Sequence, residues 1–318
     1  MTRFLATAGA ALAALGVVAA AGQQPTFRTG SDTVRVFVTV TDRDGRLVTT
    51  LGQDEFEIRD EGEPQPITLF DNSPQPIRLV VMLDVSGSMQ GNLPLLREAS
   101  EQLVARLGAD DVARVGSFGN ETDLGAAFTR DPAALVDAMP DEIPADAPTP
   151  LWRALDEAMD ALVAEDDERS GRPVILVLSD GKDSGPTTFG PNVASQGQVI
   201  DRARDEDVMI YAVGMRSRRE RARIPGIGTG GLRQALTDDL PDPGLARVAE
   251  ETGGGYIEIR PGQNLGEAFA GVVEELHSQY LIGFTPPRLD GKVHDIDVRL
   301  STRGLKARAR KDYVAPGR

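Results

Sequence analysis

Two stretches of the chain, residues 79–83 and 174–178, are apolar at every position. Unbroken runs of that length, closed by turn-forming residues, predict strands buried on both faces, as in a parallel sheet. Residues 208–213 predict another buried strand, and 112–118 and 256–259 two more. Between them the period changes to that of helices. Residues 93–107 place Leu96, Leu103 and Leu107 on one side, and 151–163, 245–252 and 265–276 read the same way. Asp131-Pro132 opens a helix running to Met139, and Ser195 suits the N-cap of a helix over 195–204. Residues 124–128 read as a short edge strand, and 143–150 as a proline-rich loop. Strands separated by helices predict a mostly parallel central sheet with helices on both faces.

The two ends of the chain follow a different rhythm. In residues 33–41, Val34, Val36, Val38 and Val40 face one way and Arg35, Thr39 and Thr41 the other, which predicts a half-buried strand. Short strands follow at 56–58 and 67–70, with turns at 42–45 and 60–62 and a linker at 72–76. From Tyr280 the β pattern returns, with strands at 280–284, 293–300 and 305–310 and turns at Asp290-Gly291 and Arg303-Gly304. About three strands at either end are too few to stand alone. The expectation is therefore an α/β, Rossmann-like unit over residues 78–278, inserted in a small β-sandwich-like domain built from both chain ends, 31–77 and 279–314.

Composition narrows the function. Residues 1–21 read as a signal peptide: Arg3 is the positive start, 4–18 are apolar and alanine-rich, and Ala19-Ala20-Ala21 supply small residues for cleavage. A secreted or periplasmic location follows as an expectation, with no segment long and apolar enough to span a membrane. The net charge of −15 argues against nucleic acid and anionic lipid as partners. Absence of cysteine excludes disulfides, Cys-based zinc sites, thiol catalysis and lipidation at a cysteine.

The candidate chemistry sits where the apolar strands stop. The first ends in Asp84-Val85-Ser86-Gly87-Ser88, and the second in Ser179-Asp180-Gly181. Thr149 lies at the start of the helix after the proline-rich loop. In open α/β sheets the carboxyl ends of strands border the ligand crevice. Two carboxylates and three hydroxyls converging there form an oxygen-only set suited to a small hard cation such as Mg²⁺. Read alone, Asp84, Ser86 and Ser88 also suit the N-cap of the following helix.

Asp-Val-Ser-Gly-Ser at 84–88, Thr149 and Asp180 in Ser-Asp-Gly resemble the metal-ion-dependent adhesion site of von Willebrand factor type A (VWA) domains, over about residues 79–276. The flanks resemble secreted bacterial proteins with a VWFA-related domain, first described from acidobacteria. They do so through Thr39-Val40-Thr41-Asp42 with Gly45, Asp54-Glu55-Phe56-Glu57, and residues 279–286. The resemblance implies Ser86, Ser88 and Thr149 as direct ligands of Mg²⁺, Mn²⁺ or Ca²⁺, with Asp84 and Asp180 acting directly or through water. It implies a protein partner supplying an acidic side chain to the open position, and binding rather than catalysis. One departure stands out: where the family often has Gly-Gly-Thr, this chain has Ala147-Pro148-Thr149-Pro150. The prolines fix φ and remove N–H donors.

Other residues carry plainer expectations. Trp152 is expected to pack the start of its helix. Arg216, Arg218, Arg219, Arg221 and Arg223 are expected in a solvated loop, with docking of an acidic partner as the alternative. His277 and His294, the only histidines, fall in or next to the terminal β segment, and no Gly-x-Ser-x-Gly elbow accompanies them. Neither a Gly-x-Gly-x-x-Gly turn after the first apolar strand nor a Walker lysine is present. The leading expectation is a cation-dependent binding module. The alternatives are a metal-assisted hydrolase and a structural envelope protein with a vestigial ion site.

Overall fold

A computed structural model describes residues 33–144, 146–164, 171–184, 194–216 and 240–317. The expected signal peptide lies outside the described residues, as do Arg218, Arg219, Arg221 and Arg223. The central sheet has the order β10-β9-β8-β5-β6-β7. Its strands are β5 (Ile77–Asp84), β6 (Val112–Phe118), β7 (Thr122–Asp123), β8 (Arg172–Ser179), β9 (Met209–Met215) and β10 (Tyr256–Ile259). All pairings are parallel except that of β6 with β7.

Every residue of β5 is buried, because both faces of the sheet are covered. Ile77, Leu79, Val81 and Leu83 pack with α1 (Leu93–Val104) and α6 (Leu265–His277) on one face. Val80 and Met82 pack on the other with α3 (Leu151–Ala164), α4 (Gln196–Asp205) and α5 (Pro243–Glu251). The short α2 (Pro132–Asp137) joins the first layer through Leu135. Alternation along one strand thus serves two cores, which an unbroken apolar run permits and an alternating one does not.

The chain ends build two further antiparallel sheets, ordered β13-β1-β11-β4 and β14-β12-β2-β3. The first holds β1 (Val34–Thr41), β4 (Leu69–Asp71), β11 (Tyr280–Phe284) and β13 (Lys306–Arg308). The second holds β2 (Phe56–Asp60), β3 (Glu63–Gln65), β12 (Val293–Leu300) and β14 (Asp312–Val314). Each therefore mixes N-terminal with C-terminal strands. Val34, Val36 and Val38 of β1 stand opposite Phe284, Ile282 and Tyr280, and Val298 and Leu300 opposite Ile58 and Phe56. These residues, with Tyr313 and Ile296, share one core between the two sheets.

Three local expectations change. The edge strand expected at 124–128 is β7, two residues earlier. Gly125 takes φ +60°, and the Leu124 and Gly125 carbonyls accept from the Arg114 guanidinium, at 2.7 and 3.2 Å, so a side chain replaces the ladder there. Strand 305–310 shortens to β13. Two strands are additional: β14, and β3, which carries Pro64 at a sheet edge, where a missing N–H is tolerated.

The sandwich is tied to the α/β layers by polar groups. Glu275 of α6 accepts from Thr39 Oγ1 at 3.0 Å, and also from Tyr211 Oη of β9 and Arg308 Nη2 of β13. Arg172 donates to the Leu276 carbonyl at the C-terminal end of α6 at 2.7 Å and lies over the Phe37 ring at 4.1 Å. Glu275→Ala is expected to destabilise the protein by about 1–3 kcal/mol, because it removes the acceptor shared by two buried hydroxyls, of Thr39 and Tyr211, and a partly buried guanidinium. Urea unfolding checks this, and an unchanged midpoint would show that the contact carries no net stability.

Candidate metal centre

Asp84 is the last residue of β5, and Asp180 follows the last residue of β8. These strands are hydrogen-bonded neighbours, while the helices that follow them, α1 and α4, cover opposite faces. The crevice between two such strand ends is the switch point where open α/β sheets bind ligands. Asp84 and Asp180 occupy its two sides.

Three loops meet there. Ser88 Oγ donates to Asp180 Oδ1 at 2.6 Å, and Ser86 Oγ lies 3.1 Å from Ser88 Oγ. The Gly87 N–H donates to the Ala147 carbonyl at 3.0 Å, which ties in the threonine loop. Thr149 packs against Gly181 so closely that a Cβ there would lie 3.0 Å from Thr149 Oγ1. The structure therefore brings together all five residues singled out in the sequence. Asp84, Ser86, Thr149 and Asp180 are buried, and Ser88 is exposed, so Ser88 marks the side open to solvent.

Helix capping does not account for these side chains. Ser86 sits at the N-cap of a single 3-10 turn, Gly87–Met89, without a side-chain capping bond. The N-cap of α1 is Asn92, also without one. Asp84 instead turns its carboxylate inward. Its Oδ1 accepts from the Ser86 N–H at 2.8 Å and its Oδ2 from Ser179 Oγ at 2.5 Å. Burial pushes its pKa up to about 6; those hydrogen bonds oppose the shift, and the negative charge of Asp180 adds to it.

The donor chemistry fits a hard cation. Among the described residues no group of three or more His, Cys, Asp or Glu is placed to hold a metal. The site has two carboxylates, and its remaining donors are hydroxyls, which suit Mg²⁺ rather than Zn²⁺. A buried carboxylate beside a second carboxylate is an anionic place that a cation relieves.

Both histidines are engaged elsewhere. His277 Nε2 lies 2.9 Å from Asp111 Oδ2, and Asp111 Oδ1 accepts from the Ile77 N–H at the start of β5. That is the opposite end of the strand from Asp84, about 23 Å away at strand rise. His294 is buried in the sandwich with its ring 2.9 Å from Asp60. Trp152 packs in the core against Gly244, and Arg216 pairs with Glu258 at 2.6 Å. Sequence reasoning missed three residues around the site: Ser179, Ser184 and Asp242. Ser179 had a signal, standing beside Asp180 in Ser-Asp-Gly. Ser184 and Asp242 had none, because their contacts cross between separate loops.

The family model described as von Willebrand factor type A domain matches residues 79–239. No curated protein sequence matches the chain. Among solved structures, a von Willebrand factor type A protein from Catenulispora acidiphila is 12% identical, with a TM-score of 0.49 over 88% of this chain and 74% of that one. Proximal thread matrix protein 1 from the mussel byssus, in a form with a zinc-occupied MIDAS motif, is 16% identical, with a TM-score of 0.45 over 67% of this chain and 48% of that one. The vWF domain of the type V pili tip protein Mfa5 from Porphyromonas gingivalis is 13% identical, with a TM-score of 0.44 over 63% of this chain and 95% of that one. With a mostly parallel sheet covered by helices on both faces, and with the family's model matching half its length, the chain belongs to the von Willebrand factor type A domain family.

Proposed function

We propose that this chain is a binding module that holds a divalent cation with Asp84, Ser86, Ser88, Thr149 and Asp180 and uses it to take a carboxylate from a protein partner. The observation that carries this reading is the meeting of two carboxylates and three hydroxyls around a buried Asp84, with Ser88 exposed at the rim. Mg²⁺ is the preferred ion, and Mn²⁺ and Ca²⁺ share its taste for oxygen. When bound, it would supply a concentrated positive charge facing an anionic side chain. The chain's own residues do the rest. Ser179 and the Ser86 N–H orient the Asp84 carboxylate, and the closely packed loops exclude water from its inner side.

Membership in a family of binding domains and the placement of both histidines away from the site support binding over hydrolysis. The same reading treats residues 78–278 as the binding domain, and 31–77 with 279–314 as one supporting β-domain. Residues 1–21 would direct export to the periplasm or beyond. Among the described residues no helix is long and apolar enough to cross a membrane.

Two outcomes are expected. Mg²⁺ or Mn²⁺ raises the thermal midpoint of the full chain, by the equivalent of about 2.7 kcal/mol at a hundredfold the dissociation constant, and Asp84→Ala abolishes the shift. Calorimetric melts in metal and in chelator check this, and equal midpoints in wild type would sink the metal reading. The second concerns the metal-free protein. Because the folded-state pKa of Asp84 is raised to about 6 from 3.8, the folded state binds the extra proton, and stability from this group falls as pH rises through that window. Asp84→Asn, which carries no charge, should therefore be more stable than wild type above pH 6 in chelator, by up to about 3 kcal/mol. The advantage should vanish towards pH 4, as denaturant melts of the pair at several pH values would reveal.

A further inference from the structure

Thr149 is the candidate donor whose placement the sequence explains least. Pro148 and Pro150 have no N–H, so across residues 148–150 only Thr149 offers a backbone donor. Ser184 engages it from both directions. The Thr149 N–H donates to Ser184 Oγ at 2.9 Å, and the Ser184 N–H donates back to the Thr149 carbonyl at 3.0 Å. That carbonyl also accepts from the Leu151 N–H at 2.9 Å, in the first turn of α3.

The segment carrying Ser184 is anchored in turn. Asp242 Oδ2 accepts from the Asp183 N–H at 3.0 Å, and the Asp242 N–H donates to the Gly181 carbonyl at 3.2 Å. Asp242 is itself held as the N-cap of α5, where its Oδ1 accepts from the Gly244 N–H at 2.7 Å. With its backbone held on both sides, Thr149 has one soft torsion left, χ1, and β-branching restricts that torsion. Its hydroxyl is thereby directed towards Gly181, the residue after Asp180.

We propose that Ser184 is the positioning residue for Thr149. Its hydroxyl holds the one N–H of the Pro-Thr-Pro segment and so sets the Thr149 side chain as a cation donor, although Ser184 is not itself in the donor set. The segment is stiffened by two prolines and aimed by one serine on a different loop. The proposal rests on the metal-binding reading for its consequence, but its geometric half can be tested apart from it.

The test uses the full chain with Ser184→Ala and Ser184→Thr, and with Asp84→Ala as the variant lacking the buried carboxylate. Mn²⁺ affinity is measured by calorimetry, and amide exchange at Thr149 is followed in chelator. Loss of an orienting hydrogen bond behind a metal ligand typically weakens binding about 10–100-fold. Ser184→Ala should fall in that range, exchange the Thr149 amide faster, and keep its metal-free thermal midpoint near that of wild type. Ser184→Thr, which restores a hydroxyl, should recover affinity and protection. A Ser184→Ala protein that binds Mn²⁺ as wild type does, while Asp84→Ala does not, overturns the proposal. If wild type binds no Mn²⁺, the metal reading falls by itself. The positioning contact is then decided by amide exchange alone, and unchanged protection in Ser184→Ala overturns it.

Discussion

The burial of β5 on both faces is the constraint on which the rest depends. No residue from Ile77 to Asp84 is exposed, so the strand can lie only in the middle of a sheet covered by two helical layers. Its neighbours are β8 and β6, its odd positions feed one core, and its even positions feed the other. A carboxylate at the end of such a strand inherits that burial. Asp84 has little access to water, and the Ser179 hydroxyl and the groups of Ser86 meet its charge. The proton affinity of the site and its suitability for a cation have the same cause.

The β-domain depends on a second, polar constraint. The sandwich strands come from opposite ends of the chain, so they can pair only if the α/β unit returns its C-terminus close to its N-terminus. Helix α6 does this: it ends at His277, three residues before β11 begins. Glu275 and Gln279 then knit that return. Glu275 collects donors from β1, β9 and β13, and Gln279 Nε2 donates to Thr39 Oγ1 at 2.8 Å. Hydrogen bonds of this kind are what offset the cost of burying polar groups at so crowded a junction. The arrangement leaves the site at one end of the central sheet and the sandwich contacts at the other.

Legibility differed between elements for physical reasons. The strands and helices of the α/β unit were readable because burial imposes a period, and periods are visible in a sequence. The two end sheets were readable as alternating strands. The short pieces were not. β3 and β14 are three residues each, too few to establish alternation, and β7 was misplaced because Arg114 takes the carbonyls that a ladder would have used. At the site, the oxygen-bearing residues that the structure brings together were legible because they stand at or near the ends of readable elements. The groups that hold them were not.

By itself, the sequence determined the buried strands, the carboxylates and hydroxyls placed just beyond them, and the family to which the chain belongs. These follow from residue type and local spacing, which need no folded neighbour. Only the tertiary structure decided that Asp84 and Asp180 flank one crevice and that Asp84 is buried deeply enough to hold a proton near pH 6. It alone decided that Ser184 and Asp242 brace the loops around Thr149. Those properties depend on distances between loops far apart in the chain and on how much water is left between them. Neither quantity is written in any local stretch of sequence.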